Sequence, residues 1–190
     1  MSKSDRPRFN IKVAETKDEI EACYDIRIEV FVVEQGFPLD VEIDDYDKTA
    51  THLLLTTPVS SPPPESTASL TPSLEPSSAS TSQKPIGTIR WNPSVGKVAR
   101  LVVAKEYRKY GFGRVLMDEL HQHVKSTSVD KRSELKTAKE VNGKEHVHLW
   151  LNAQMYAIPF YVKMGYEQVG EEFDEDGAPH VKMVRDLELI

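Results

Sequence analysis

The chain has 190 residues, of which 39% are hydrophobic and 28% charged, with a net charge of −6 at pH 7. That length holds one well-buried domain, and the composition is that of a soluble globular protein. The acidic balance argues against a general nucleic-acid binder, which needs a basic field, and no apolar run is long enough to span a bilayer.

The opening Met1-Ser2-Lys3-Ser4-Asp5 is polar and lacks the apolar centre of a secretory signal. Phe9–Ala14 alternates apolar and polar residues, as a strand does. Asp18–Val33 has helical periodicity, with Ile20, Cys23, Tyr24, Arg27, Val30 and Phe31 near one face. Cys23 is the only cysteine. No internal disulfide is possible, which points to a reducing compartment, cytoplasmic or nuclear. Glu42, Asp44, Asp45 and Asp47 form an acidic run without the glycine and distant glutamate of a calcium loop. The expectation is a solvated acidic loop, or an acidic lip that attracts a cationic acceptor. His52–Thr56 is a predicted strand.

Pro58–Lys84 holds six of the twelve prolines, nine serines and no aromatic residue. It cannot bury enough apolar surface to order itself, so it is expected as a mobile insertion within one domain over residues 8–188. Ile86–Trp91 and Lys97–Ala104 are predicted strands. Gly113–Lys125 is a predicted helix, with Val115, Leu116, Leu120 and Val124 at helical spacing. Residues 126–144 form a second polar surface insertion with some helical character. His146–Asn152 alternates as a strand. Met155–Met164 is a predicted helix, with Pro159 in or near its first turn and Gly165 as its stop. His180–Val184 is a last strand. The sum is an α/β (α+β) domain with a central mixed sheet flanked by helices.

Arg108-Lys109-Tyr110-Gly111-Phe112-Gly113, followed by Arg114, joins a strand to a helix. The first N–H groups of a helix have no internal partner, and the helix dipole adds positive potential there. Glycine lets that backbone approach a phosphate, and the basic side chains add charge. The pattern points to a ligand carrying a diphosphate; an ordinary strand–helix connection is the alternative. His121 and His123 diverge on a helix, and His146 and His148 lack further ligands, so no metal site is expected.

These motifs resemble the GCN5-related N-acetyltransferases (GNAT). The family pattern Arg/Gln-x-x-Gly-x-Gly/Ala is matched at Arg108–Gly113. Ala99–Val103 resembles the family strand that pairs with pantetheine. Leu151–Gln154 and Ala157–Tyr166 resemble a later family motif. Arg27–Pro38, with Glu42–Asp45 and Gly177–His180, is similar to the ElaA/YjcF-like branch. The resemblance implies a mostly antiparallel, twisted sheet with splayed central strands, and an activity that moves an acetyl group from acetyl-CoA directly to an amine. The acceptor would be a small-molecule or protein amine, and the enzyme a monomer or homodimer. A binding or regulatory module that keeps the fold without turnover is the alternative.

On that resemblance the cofactor would be bound by Leu101, Val102, Val103, Arg108, Lys109, Tyr110, Gly111, Phe112, Gly113, Arg114, Asn152 and Phe160. Phe160 could equally be core, and Asn152 could equally cap the next helix. Tyr161 is the candidate general acid, since a hydroxyl with a pKa near 10 keeps its proton at neutral pH; an aromatic packing role is the alternative. Glu34 is a candidate base, or a solvated acid at a helix end. His180 could titrate as a base in the physiological range, or serve a structural role at the start of a strand. His52 has the same two readings. Cys23, on the apolar side of a helix, is expected in the core, which argues against a covalent acetyl-cysteine route.

Overall fold

The computed structural model describes residues 6–59, 82–127, 135 and 138–190. Most of the Pro/Ser-rich insertion lies outside the described residues, but its two ends pair: Pro58 is opposite Gln83 on neighbouring strands. Residues 128–134, 136 and 137 of the second polar insertion lie outside them as well.

The first strand, β1 (Asn10–Val13), leads to α1 (Lys17–Arg27). A capping box starts this helix. Thr16 Oγ1 accepts from the Glu19 N–H, and the Glu19 carboxylate accepts from the Thr16 N–H. The helix was expected to continue as α to Val33, but Ile28–Glu34 is wound as a π-helix. Branched residues at Ile28, Val30, Val32 and Val33 weaken the α preference there. The short α2 (Leu39–Glu42) and a 3₁₀ turn (Asp45–Lys48) follow.

The strands β2 (Thr51–Pro58), β3 (Gln83–Asn92) and β4 (Lys97–Val103) come next, then α3 (Phe112–Lys125). A hairpin of β5 (Ala138–Val141) and β6 (Lys144–Gln154) precedes α4 (Ile158–Lys163), and β7 (Glu167–Glu175) and β8 (Ala178–Glu188) end the fold. The sheet has eight strands in the order β1-β2-β3-β4-β6-β8-β7, with β5 paired to β6 off that path. Among the described strands only β4–β6 is parallel. The expected mixed, mostly antiparallel sheet is therefore present. Two strands were not foreseen. In β7 every residue before Glu175 is exposed, so no apolar face marks it, and β5 lies in the segment expected as polar connection.

Strand alternation sends the core to two faces. Leu54 meets Cys23 of α1, while Leu53 and Leu55 join Leu116, Met117 and Leu120 of α3 on the other side. Cys23 is fully buried and burial pushes its thiol up to about 11, which makes a thiolate nucleophile inaccessible at neutral pH.

The acidic run is not a solvated loop. Asp45 is exposed, but Glu42 and Asp47 are buried against three arginines. Arg27 donates to Glu42 Oε1 at 2.5 Å and to Asp47 Oδ1 at 2.7 Å. Arg90 donates to Asp44 Oδ1 and to Asp47 Oδ1, each at 2.7 Å. Arg100 donates to the Val41 carbonyl at 2.6 Å and lies 3.2 Å from Glu42 Oε2. The guanidiniums of Arg27 and Arg90 hold the Asp47 carboxyl well below its usual range. His52 is sealed beside this cluster, with Nε2 3.2 Å from the Asp47 carbonyl and its pKa lowered by burial. It is a structural histidine.

A second buried group sits under α3. His121 Nε2 is 3.1 Å from the Tyr166 hydroxyl, and Arg185 donates toward Nδ1 at 3.3 Å. Burial, then Arg185, holds the His121 pKa down to about 4.

Two outcomes follow for stability. Asp47→Ala strands two arginines and should cost about 3–5 kcal/mol of unfolding free energy, whereas the exposed Asp45→Ala should stay within about 0.5 kcal/mol; urea titration distinguishes them. For His121 the unfolded chain takes up a proton near pH 6.5 and the native ring only near pH 4. Its contribution is therefore intact above pH 6.5 and lost as pH falls toward 4, by up to about 1.4 kcal/mol per pH unit. His121→Gln should flatten the stability–pH slope in that window, read by thermal unfolding at successive pH values.

Candidate active site

The parallel neighbours β4 and β6 meet at one point. Lys97 is opposite Trp150, whose N–H donates to the Gly96 carbonyl at 3.0 Å. No other residue of β4 pairs with β6. The beginning of the same β6 edge is taken by β5, from Lys144 to Val147. The edge from Leu151 to Gln154 therefore faces an open gap.

That gap is a cleft of about 520 Å³. Its walls are Lys97–Val103 of β4, Leu151, Asn152 and Gln154 of β6, and Phe160 and Tyr161 of α4. Phe31, Phe37, Val41 and Glu42 close it from the helical side, and Glu175, Asp176 and His180 from the β7–β8 end. A bulge shapes the β4 wall. Thr88 pairs with Val102 and Arg90 with Ala99, so β4 carries an extra residue there, and Arg100 takes φ 56°. A left-handed arginine costs roughly 1–2 kcal/mol. The arginine's contacts to the Val41 and Glu42 carbonyls hold it there.

At the mouth, a 3₁₀ turn (Lys105–Tyr110) and Gly111 lead into α3. Gly111 has φ 73°, which only glycine adopts without strain. No side chain caps α3, so its first amides are open to a ligand. Gly113 stands in that first turn with only the Phe160 ring nearby, 3.7 Å from where a Cβ would be. The site thus combines an uncapped helix N-terminus with two unpaired strand edges.

The family model described as Acetyltransferase (GNAT) domain matches residues 74–187. The chain belongs to the GNAT acetyltransferase family. BSU40680, a Bacillus subtilis protein named as an acetyltransferase, is 30% identical over 93% of this chain and 96% of its own. The uncharacterized N-acetyltransferase YjcF of Bacillus subtilis is 28% identical over 92% and 97%. The crystal structure of a Lactobacillus plantarum protein assigned as an N-acetyltransferase superposes with a TM-score of 0.65 at 25% identity, covering 94% of this chain and 98% of that one.

Within this GNAT cleft the expected residues divide into groups. Leu101, Val102, Val103, Gly111, Gly113, Arg114, Asn152, Phe160, Tyr161 and His180 all line it. The side chains of Val102 and Val103 pack in the core, which leaves their backbone for the cleft. Lys109, Tyr110 and Phe112 do not line it. Phe112 is fully buried against Phe9, Tyr107 and Tyr110, so it anchors the helix start and only its backbone belongs to the mouth. The Lys109 ammonium rests over the Tyr110 ring at 5.1 Å.

Glu34 was expected as a base in the acceptor site, but it lies outside the cleft lining. Arg108 donates to both its carboxylate oxygens at 2.6 Å, and this pair holds its pKa below the usual range. An acid that ionised is a poor proton acceptor. Arg108 also donates to the Val103 carbonyl at 2.9 Å. Arg108 and Glu34 thereby fasten the π-helix end to the mouth of the cleft.

Tyr161 packs edge-on against Phe160 and Tyr166, at 5.1 and 6.0 Å between ring centroids. Burial pushes its hydroxyl pKa up. Asn152 donates to Glu175 Oε1 at 2.8 Å. Glu175 was not singled out in the sequence, because the strand that carries it has no pattern to read.

Proposed function

We propose that this protein is an acetyl-CoA-dependent N-acetyltransferase that moves the acetyl group directly onto an amine. The observation that carries the reading is the splay of β4 from β6, with the uncapped start of α3 at its mouth. Acetyl-CoA has two parts that fit such a site. Its diphosphate suits the first amides of α3, with Arg114 at the rim. Its pantetheine arm carries two amides and can lie along β4 as an added strand.

The residues then divide the chemistry. Backbone groups beside Leu101 and Val103 hold the arm and polarise the thioester carbonyl, stabilising the oxyanion that develops. Tyr161 keeps its proton through the neutral range. It passes that proton to the departing thiolate and regains one from the acidic nitrogen of the tetrahedral adduct. No cysteine participates, since Cys23 is buried away from the cleft. Arg108 can join the diphosphate only by loosening from Glu34, so the pair competes with the cofactor for the same guanidinium.

The direct test is release of free CoA from acetyl-CoA across a panel of primary amines. Tyr161→Phe should lower kcat about 100-fold, with acetyl-CoA affinity by calorimetry unchanged; an equal loss of affinity would make Tyr161 a packing residue. Glu34→Gln should tighten CoA severalfold, because it releases Arg108 and removes a negative charge near the mouth. Weaker binding in the same titration would mean that the pair serves to position the loop.

A further inference from the structure

Among the described residues, Glu175 is the sheltered carboxylate in the cleft wall with no arginine beside it; Lys97 Nζ stands 3.8 Å from its Oε1 and leaves Oε2 facing His180. Glu42, also in the wall, is committed to Arg27 and Arg100, and Asp176 sits in the exposed hairpin turn. Glu175 ends β7, with its side chain 33% exposed. Its Oε1 accepts from Asn152, while Oε2 makes no hydrogen bond to a described residue and lies 3.9 Å from His180 Nε2. The turn that places it is well defined. Glu175 pairs with Ala178 across Asp176 and Gly177, which have φ 56° and 81°. Asp-Gly is a favoured two-residue hairpin loop for that geometry.

His180 presents the complementary atom. Its Nδ1 is 2.9 Å from the Ala178 carbonyl, which can only accept, so Nδ1 carries the ring proton. In the neutral ring Nε2 is then the lone-pair nitrogen. The ring is buried and stacks on Phe173 at 6.3 Å, which fixes its plane. Nε2 and Glu175 Oε2 are too far apart to bond to one another, yet one ammonium nitrogen between them can bond to both.

We propose, resting on the acetyltransferase reading above, that Glu175 anchors the acceptor as a primary ammonium and that His180 Nε2 takes its first proton. The resulting free amine attacks the acetyl carbon, so a C–N bond forms and the C–S bond breaks. The second N–H proton reaches the thiolate through Tyr161, and His180 releases the first to water. The products are the N-acetyl amine, CoA–SH and one proton. The cleft also sets the acceptor class. Its helical side is apolar, with Phe31, Phe37 and Val41, and the Lys97 ammonium already stands 3.8 Å from Glu175, against any second ammonium there. A single ammonium on an apolar body matches this lining, and a polyamine meets repulsion.

The experiment uses the full chain with acetyl-CoA, phenethylamine and spermidine as acceptors, and release of free CoA as the readout. Wild type should favour phenethylamine by kcat/KM at least tenfold. Glu175→Gln keeps an acceptor for Asn152 and should raise the phenethylamine KM at least 30-fold, with a smaller change in kcat and unchanged acetyl-CoA affinity. His180→Asn should lower kcat at least 100-fold, with unchanged acetyl-CoA affinity. An unchanged KM in Glu175→Gln, with wild type active, overturns the anchor and leaves the acetyltransferase reading standing. Equal or better use of spermidine overturns the acceptor class. A wild type that binds acetyl-CoA but releases no CoA with any amine overturns the acetyltransferase reading, and this proposal with it.

Discussion

Two buried guanidiniums, a third at the cleft edge and three carboxylates must match one another, and the rest of the site depends on that match. Charges removed from water are costly unless each is paired. Arg27 on α1, Arg90 on β3 and Arg100 on β4 can be satisfied together only when Glu42, Asp44 and Asp47 sit where they do. The pairing contributes little net stability over an apolar core, but it leaves the 37–48 segment a single position. That position puts Phe37 and Val41 on the cleft wall and holds Arg100 in its left-handed bulge. The helical side of the cleft is therefore set by electrostatics rather than by apolar packing.

The opposite constraint acts across the gap. Backbone amides and carbonyls on a sheet edge need partners, and an open edge invites an added strand. Here the two exposed edges face each other inside the molecule, shielded from other chains by α4, the π-helix and the β7–β8 hairpin. The protein keeps its vulnerable backbone where only a slender ligand reaches it. The mouth follows the same logic, since α3 starts on Gly111 with no capping side chain.

Much of this was legible in the sequence. Arg108–Gly113 marked the strand–loop–helix junction because glycine spacing and helix-start chemistry are local. The alternating apolar strands were legible for the same reason. What escaped depended on pairing between distant residues. Glu42 and Asp47 look solvated in a run of acids, and only Arg27, Arg90 and Arg100 folding over them makes them buried. Glu34 looked free because its partner Arg108 is 74 residues away. Glu175 lies in a strand exposed on nearly every residue, where neither period nor hydrophobicity speaks. It acquires meaning only when the Asp176-Gly177 turn brings it to His180 and Asn152.

The single parallel contact at Lys97 and Trp150 has a thermodynamic consequence. It divides the sheet into two leaves that are also contiguous in sequence, β1–β4 and β5–β8. Such leaves are natural cooperative subunits of unfolding, joined by the α3 core more than by the ladder. A ligand that bonds to both edges acts as a suture. It binds only the closed arrangement, so its free energy adds to cohesion by mass action, about 2.7 kcal/mol at a hundredfold excess over Kd. In this architecture occupancy and global stability are two readings of one equilibrium.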